Sequence, residues 1–290
     1  MENQQDDFFY TEDNLPQPQQ DFGFTPTDEF ANIRTQGYSV EFGDTFSSSW
    51  DFMKPFLGQL VAYTLLCAFS YLALTFIIPQ IVSFMNSSIG YVVGAIVNLT
   101  VISALLAGFY SYFEKIYNKD KFSFQNLFDG FEYIGQLALY QLVFVIILIL
   151  PSLLIIFALD TFSAFNPNFK SLDADLLSYG LIGIPSILIF TFYIFTPILI
   201  VLAKMNFWSA MEMSRKLVLA NFTGVLGFVI GFTLLNILGL LFIGLGTLIT
   251  IPFTFAATFI LYVKLVKKNG ASTNFSGDFY TDENAPLDAF

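Results

Sequence analysis

The chain alternates long apolar runs with short stretches in which rings and charges recur together. A helix needs about 20 apolar residues to cross a hydrocarbon core ~30 Å thick. Six runs meet that length: 56–78, 89–109, 137–159, 181–203, 224–244 and 245–263. They are too long for core helices of a water-soluble domain, and the last two are separated only by IGLG, which predicts a tight hairpin. The pattern predicts an all-α membrane protein with six transmembrane helices.

A mixed segment precedes each odd-numbered span. FSSSWDFMKPFLGQLVAY (46–63) and FQNLFDGFEYIGQLALY (124–140) share an opening in which Asp follows the second of two rings, then GQL, then a Tyr three residues on. FWSAMEMSRKLVLANF (207–222) keeps the spacing of the opening, with Met211-Glu212 in place of the ring and the acid. The reading is three units, each an amphipathic interfacial helix followed by a two-span hairpin, with rings at headgroup level and charges on the wet side. Within the spans, small residues at helical spacing mark expected helix-packing faces: Gly90, Gly94 and Gly108 in the second, Gly227 and Gly231 in the fifth. Pro151, Pro185, Pro197 and Pro252 fall inside spans and are expected to kink them.

Composition agrees with this picture, at 55% hydrophobic and 12% charged. The few charges then orient it. Eleven of the twelve basic residues lie before span one, between spans two and three, between four and five, or after six; only Lys170 lies on the other side. Basic residues near spans stay cytoplasmic, so both termini are expected in the cytoplasm, in a bacterial inner membrane. The first 55 residues are polar and acidic, which predicts no cleavable leader. Cys67 is the only cysteine, so no disulfide within one chain is possible.

Three parts follow: an acidic tail at 1–40, the six-helix domain at 41–266 and a second tail at 267–290. Residues 1–55 carry 11 acids against 2 bases, and 269–290 carry 4 acids and no base. Such segments bury too little apolar area to offset their ordering entropy and are expected to be disordered. Their charge repels an anionic leaflet, so they project into the cytoplasm. Each holds nearly the same eight letters. FYTEDNLP comprises Phe9, Tyr10, Thr11, Glu12, Asp13, Asn14, Leu15 and Pro16; FYTDENAP comprises Phe279, Tyr280, Thr281, Asp282, Glu283, Asn284, Ala285 and Pro286. Acid-flanked rings in a flexible chain suit a short linear motif. The rings would fill pockets, the acids would meet a basic rim and Asn-x-Pro would fix a turn. Two copies raise apparent affinity for a multivalent partner.

Much chemistry is missing. There is no His, no cysteine or carboxylate cluster with metal-ligand spacing, no P-loop and no dinucleotide fingerprint. No Asp, Glu, Lys or Arg lies inside the expected spans, which argues against proton- or ion-driven carriers. No cofactor and no metal is expected, nor is nucleic acid a partner of a chain with net charge −11. What polarity remains inside the spans is Asn98, Asn236 and a stripe of hydroxyls at Thr247, Thr250, Thr254 and Thr258, forming a possible intramembrane polar face. Threonines at this spacing are more often interhelical glue than a path.

The last third, AMEMSRKLVLANFTGVLGF and LGLLFIGLGTLITIPFTFAATFILY, resembles a broad group of bacterial six-helix integral membrane proteins. That group is related to the membrane domain of glycerophosphoryl diester phosphodiesterases. The matching features are Ala210, Ser214, Asn221-Phe222, Gly239, Gly244, Gly246, Thr250, Pro252 and Tyr262, with FSFQNLFDGF at 122–131 resembling the group's loop before span three. The resemblance covers about residues 45–265 and implies a six-span fold without implying an activity. The phosphodiesterase barrel of the fused relatives has no counterpart in these 290 residues.

The expectation is a non-enzymatic accessory subunit or adaptor of a larger membrane complex. Its body would pack against other membrane subunits and lipids. Its tail motifs would bind a cytosolic protein with a basic, aromatic-accepting groove. The alternative is a carrier or scramblase for lipids or other amphipathic cargo.

Overall fold

A computed structural model of the protein describes residues 40–83, 87–121, 123–165, 171–241 and 244–270. The two motif copies, at 9–16 and 279–286, lie outside the described residues, as does most of both tails. Among the described residues nine α-helices follow in order: α1 (Phe42–Met53), α2 (Leu57–Ser83), α3 (Ser87–Tyr117), α4 (Ile134–Phe165), α5 (Ser171–Phe192), α6 (Thr196–Val201), α7 (Phe207–Ala220), α8 (Phe222–Leu241) and α9 (Thr247–Gly270). A 3-10 turn (Lys54–Phe56) joins α1 to α2, and a 3-10 helix (Phe124–Tyr133) precedes α4. There is no strand among the described residues.

Among the described residues six helical stretches are long and apolar enough to cross a membrane: Phe42–Ile77, Val92–Tyr117, Phe124–Phe162, Tyr179–Val201, Phe222–Leu241 and Thr247–Leu265. The surface has the polarity of a protein dissolved in lipid. On α4, Leu154, Phe157 and Phe165 are 66%, 72% and 80% exposed, an outer face that water would not tolerate. The chain is the body of a multi-pass, all-helical membrane protein.

The expected fourth span, 181–203, is not one helix. It breaks between α5 and α6 at residues 193–195. Pro197 has no N–H to offer the carbonyl of Tyr193 and its ring crowds that carbonyl. The backbone there tightens instead, with Thr196 N–H donating to Tyr193 O at 3.0 Å and Tyr193 N–H to Phe190 O at 3.2 Å. Ser214 of α7 bridges the gap, accepting from Phe195 N–H at 3.2 Å and donating to Phe192 O at 2.8 Å. Broken helices survive at membrane depth only when neighbours re-satisfy the freed groups in this way. Pro151, Pro185 and Pro252 stay inside their α-helices.

The three segments before the odd spans are helical but not alike. α1 buries Thr45, Ser49, Phe52 and Met53 against α9, and its Asp44 pairs with Lys264 of α9 at 2.7 Å. The second segment is a 3-10 helix with a capping box, in which Ser123 N–H donates to Asn126 Oδ1 at 2.8 Å. α7 is capped by Asn206, whose Oδ1 accepts from Ser209 N–H at 2.9 Å. The sequence likeness of the first two segments therefore does not extend to their backbones.

The spans form a ring. Neighbours pack in the order α2, α3, α4, α5, α8, α9 and back to α2, with α3 also reaching α9 across the middle. The α2–α3–α9 side of this ring is solid with aromatic side chains; the α3–α4–α5–α8–α9 side encloses a space.

Candidate functional site

The solid side is built by glycines that let backbones touch. A Cβ on Gly108 of α3 would fall 1.7 Å from Leu127 O in the 3-10 helix, and one on Gly130 would fall 2.2 Å from Ala104 O of α3. Tyr63 of α2 seals this crossing, its hydroxyl lying 2.7 Å from Leu105 O and 2.6 Å from Leu127 O. Around it, Tyr63 meets Phe109 edge-on at 5.1 Å between centroids, and Phe52 of α1 stacks on Phe259 of α9 at 5.7 Å. Gly90 and Gly94 are buried. Gly231 accepts the ring of Phe42, whose Cε2 would sit 2.5 Å from an added Cβ. Gly227 differs from the expectation: a Cβ there meets nothing within 4 Å, so Gly227 and Gly231 do not form one packing face in this chain.

On the other side, a cavity of about 420 Å³ lies between α3, α4, the α5–α6 break, α8 and α9. That volume falls in the lower half of the range for small-molecule sites, roughly 300–1,000 Å³. Its walls are aromatic and aliphatic, led by Tyr110, Tyr140, Phe144, Tyr193, Phe228 and Phe232. Polar groups enter as Ser103, Gln141, Thr233, Asn236, Thr254 and Thr258; no Asp, Glu, Lys or Arg lines it. The break in the fourth span shapes one wall, because Tyr193, Ile194 and Pro197 all reach the space.

The expected intramembrane polar face is thus divided among four places. Asn98 sits between α2 and α3, its Nδ2 donating to Thr75 Oγ1 at 2.6 Å, and takes no part in the cavity. Thr247 turns its hydroxyl to Gly244 O at the α8–α9 turn. Thr250 packs at the α8–α9 crossing, where a Cβ on Gly239 would lie 2.7 Å from Thr250 Oγ1. Asn236, Thr254 and Thr258 line the cavity. The two threonines donate back into their own helix, Thr254 to Thr250 O at 2.7 Å and Thr258 to Thr254 O at 2.9 Å. Asn236 Nδ2 donates to Phe232 O at 2.8 Å and to Thr254 Oγ1 at 2.8 Å, while its Oδ1 is buried and has no partner.

Sequence reasoning found the asparagine and threonines but not the walls. Tyr140, Phe144, Tyr193, Phe228 and Phe232 look like any other rings in an apolar run, and nothing in their spacing says that they face one another. One available signal was Pro197, which places the break. Another was Asn236, an amide with four hydrogen-bonding sites in a helix that could satisfy few of them.

Among the described residues no group of His, Cys, Asp or Glu could hold a metal ion. No family model, no curated protein and no solved structure matches the chain.

Proposed function

We propose that the six-span body is a membrane-embedded binding site for an uncharged amphipathic molecule exchanged with the bilayer, as in a carrier or scramblase. The cavity is the observation that supports this reading. It is large enough for a ligand, walled by rings and lined by no charge. A membrane interior offers chains and neutral heads in great excess, and an apolar hollow at that depth selects for them. Phe190 of α5 and Thr233 of α8 line the cavity and are exposed. Native mass spectrometry tests this: delipidated protein re-exposed to neutral single-chain lipids gains a bound chain, and Val229→Phe, which fills the cavity, loses it. Absence of any adduct on the native protein would sink the reading.

The second reading is the tether, supported by the repeated motif rather than by the cavity. The two copies FYTEDNLP and FYTDENAP both flank the body, and the distribution of basic residues supports a cytoplasmic side for both. Phe9, Tyr10, Phe279 and Tyr280 would anchor a cytosolic partner with a basic groove, and α1, the 3-10 helix and α7 would lie at the headgroup level. The family resemblance of the last third is compatible with either reading. Affinity purification of the intact chain beside one lacking residues 1–20 and 277–290 separates them: a partner lost with the tails supports the tether.

A further inference from the structure

We propose that a second, smaller pocket beside α7 is the head-group subsite for the cavity's occupant, taking a zwitterionic phosphate–ammonium head while the chain lies in the cavity; the proposal rests on the cavity being an amphipath site. That pocket, of about 130 Å³, is lined by Ile147 of α4, Tyr193 at the α5–α6 break, and Trp208, Met211, Glu212 and Arg215 of α7. Tyr193 also lines the large cavity, so the two spaces meet at one side chain. On α4 they are one turn apart, with Phe144 lining the cavity and Ile147 the pocket.

A chain can pass there at small cost. Tyr193 lies in the break, and among the described residues no hydrogen bond holds its hydroxyl. Its ring meets Phe144 edge-on at 6.1 Å between centroids, a modest contact to give up. A charged head cannot follow. No Asp, Glu, Lys or Arg lines the cavity, so a charge drawn into it would be desolvated without compensation.

The charges that line the pocket come in both signs. Trp208, Glu212 and Arg215 stand at i, i+4 and i+7 of α7, on one face of the helix. Arg215 gives one nitrogen to Glu212 at 2.7 Å, and its guanidinium keeps other donors for a phosphate. The carboxylate of Glu212 and the 66% exposed ring of Trp208 together suit an ammonium. The Glu212–Arg215 pair is itself exposed, so sharing it with a head costs little. An anionic head would meet Glu212 as well as Arg215, and a hydroxyl head would use neither charge in full. A single-chain phospholipid with an ethanolamine head has the chemistry that answers both.

The test uses the full-length protein in an uncharged maltoside detergent. Three probes share one chain with a photoreactive group at its far end: lysophosphatidylethanolamine, lysophosphatidic acid and a monoacylglycerol. The expected result is that the zwitterion labels cavity residues about tenfold more than either other probe, the lower end for one hydrogen bond to a charged group. Arg215→Gln brings the zwitterion's labelling down to the monoacylglycerol's level without lowering the monoacylglycerol's. Labelling by the monoacylglycerol equal to or above the zwitterion's on the native protein overturns the head-group subsite and leaves the amphipath cavity standing. Labelling by lysophosphatidic acid at or above the zwitterion's overturns the choice of head and with it the proposal. Label confined to α7, with none in the cavity, overturns the shared path. No labelling by any probe overturns both this proposal and the amphipath reading. The native comparison needs no variant, so misfolding of Arg215→Gln does not rescue the idea.

Discussion

Tyr63 and Tyr140 end nearly the same sequence, GQLVAY in one and GQLALY in the other, and both are buried, but their neighbours differ. Gln59 and Gln136 behave alike, each accepting a bond from another element, Gln59 from the Tyr112 hydroxyl and Gln136 from Phe207 N–H. Four residues on, the likeness ends. Tyr63 is fully buried, its hydroxyl locked on two carbonyls where α3 and the 3-10 helix touch. Tyr140 lines a cavity. The 3-10 helix meets α3 through Gly108 and Gly130, whereas α7 meets α4 and α5 without such glycine contacts and leaves the ring open. Lipid gives helices no hydrophobic reason to collapse on one another, so close packing has to be built with small residues and fitted rings. Where these are not supplied, a hollow persists. The lesson is that one side of the ring holds the fold and the other is free to hold something else.

The largest expected effect breaks the solid side. Gly108→Ala drives a methyl into Leu127 O, backbone against backbone, and is expected to cost about 3 kcal/mol or more, at the upper end of overpacking. Thermal melts in mild detergent would register it, and a melt unchanged within error would mean the crossing is not as close as described. Tyr63→Phe comes next. It removes the one hydroxyl proton shared between Leu105 O and Leu127 O and is expected to cost about 1–3 kcal/mol, whereas Tyr140→Phe costs less than about 1.

A matched pair of fillings sharpens the comparison. Ala256 is fully buried outside the cavity, and Ala256→Leu is expected to cost about 1–3 kcal/mol. Val229→Phe adds more volume but points into the hollow, so its cost is expected to stay within about 1 kcal/mol. Similar losses in the two variants would argue that both sides are packed to the same density.

The smallest effect concerns α7. The Glu212 carboxylate is held below its usual range by its hydrogen bond to Lys216 and by Arg215, the latter at 2.7 Å. A lowered carboxylate contributes above its unfolded value and loses that contribution as pH falls through its folded value. Glu212→Gln should therefore melt slightly below the native protein at neutral pH and level with it in acid. The pair is exposed, so the difference is small. An equal gap at both pH values would remove Glu212 from the account.

The six spans were legible because lipid reads hydropathy over about 20 residues and little else. The hairpin at IGLG was legible too, with Gly244 at φ +75 in the turn. The fourth span was read as continuous because hydropathy does not register a missing N–H; Pro197 warned of a kink, but only Ser214, on another helix, made a full break tolerable. The threonine stripe was visible at its spacing, yet its division among turn, crossing and cavity depended on which helix stood opposite each residue.

The sequence by itself determined that this chain carries six runs apolar and long enough to cross a membrane, and that those runs contain no Asp, Glu, Lys or Arg. It also carries the repeated tail motif. Those facts follow from composition and local periodicity, which neighbours in the chain settle. Tertiary structure alone decided that the α3–α4–α5–α8–α9 side stays open and that Asn236 Oδ1 is buried without a partner. Packing and hydrogen-bond satisfaction are relations between residues far apart in sequence, and they exist only once the helices have met.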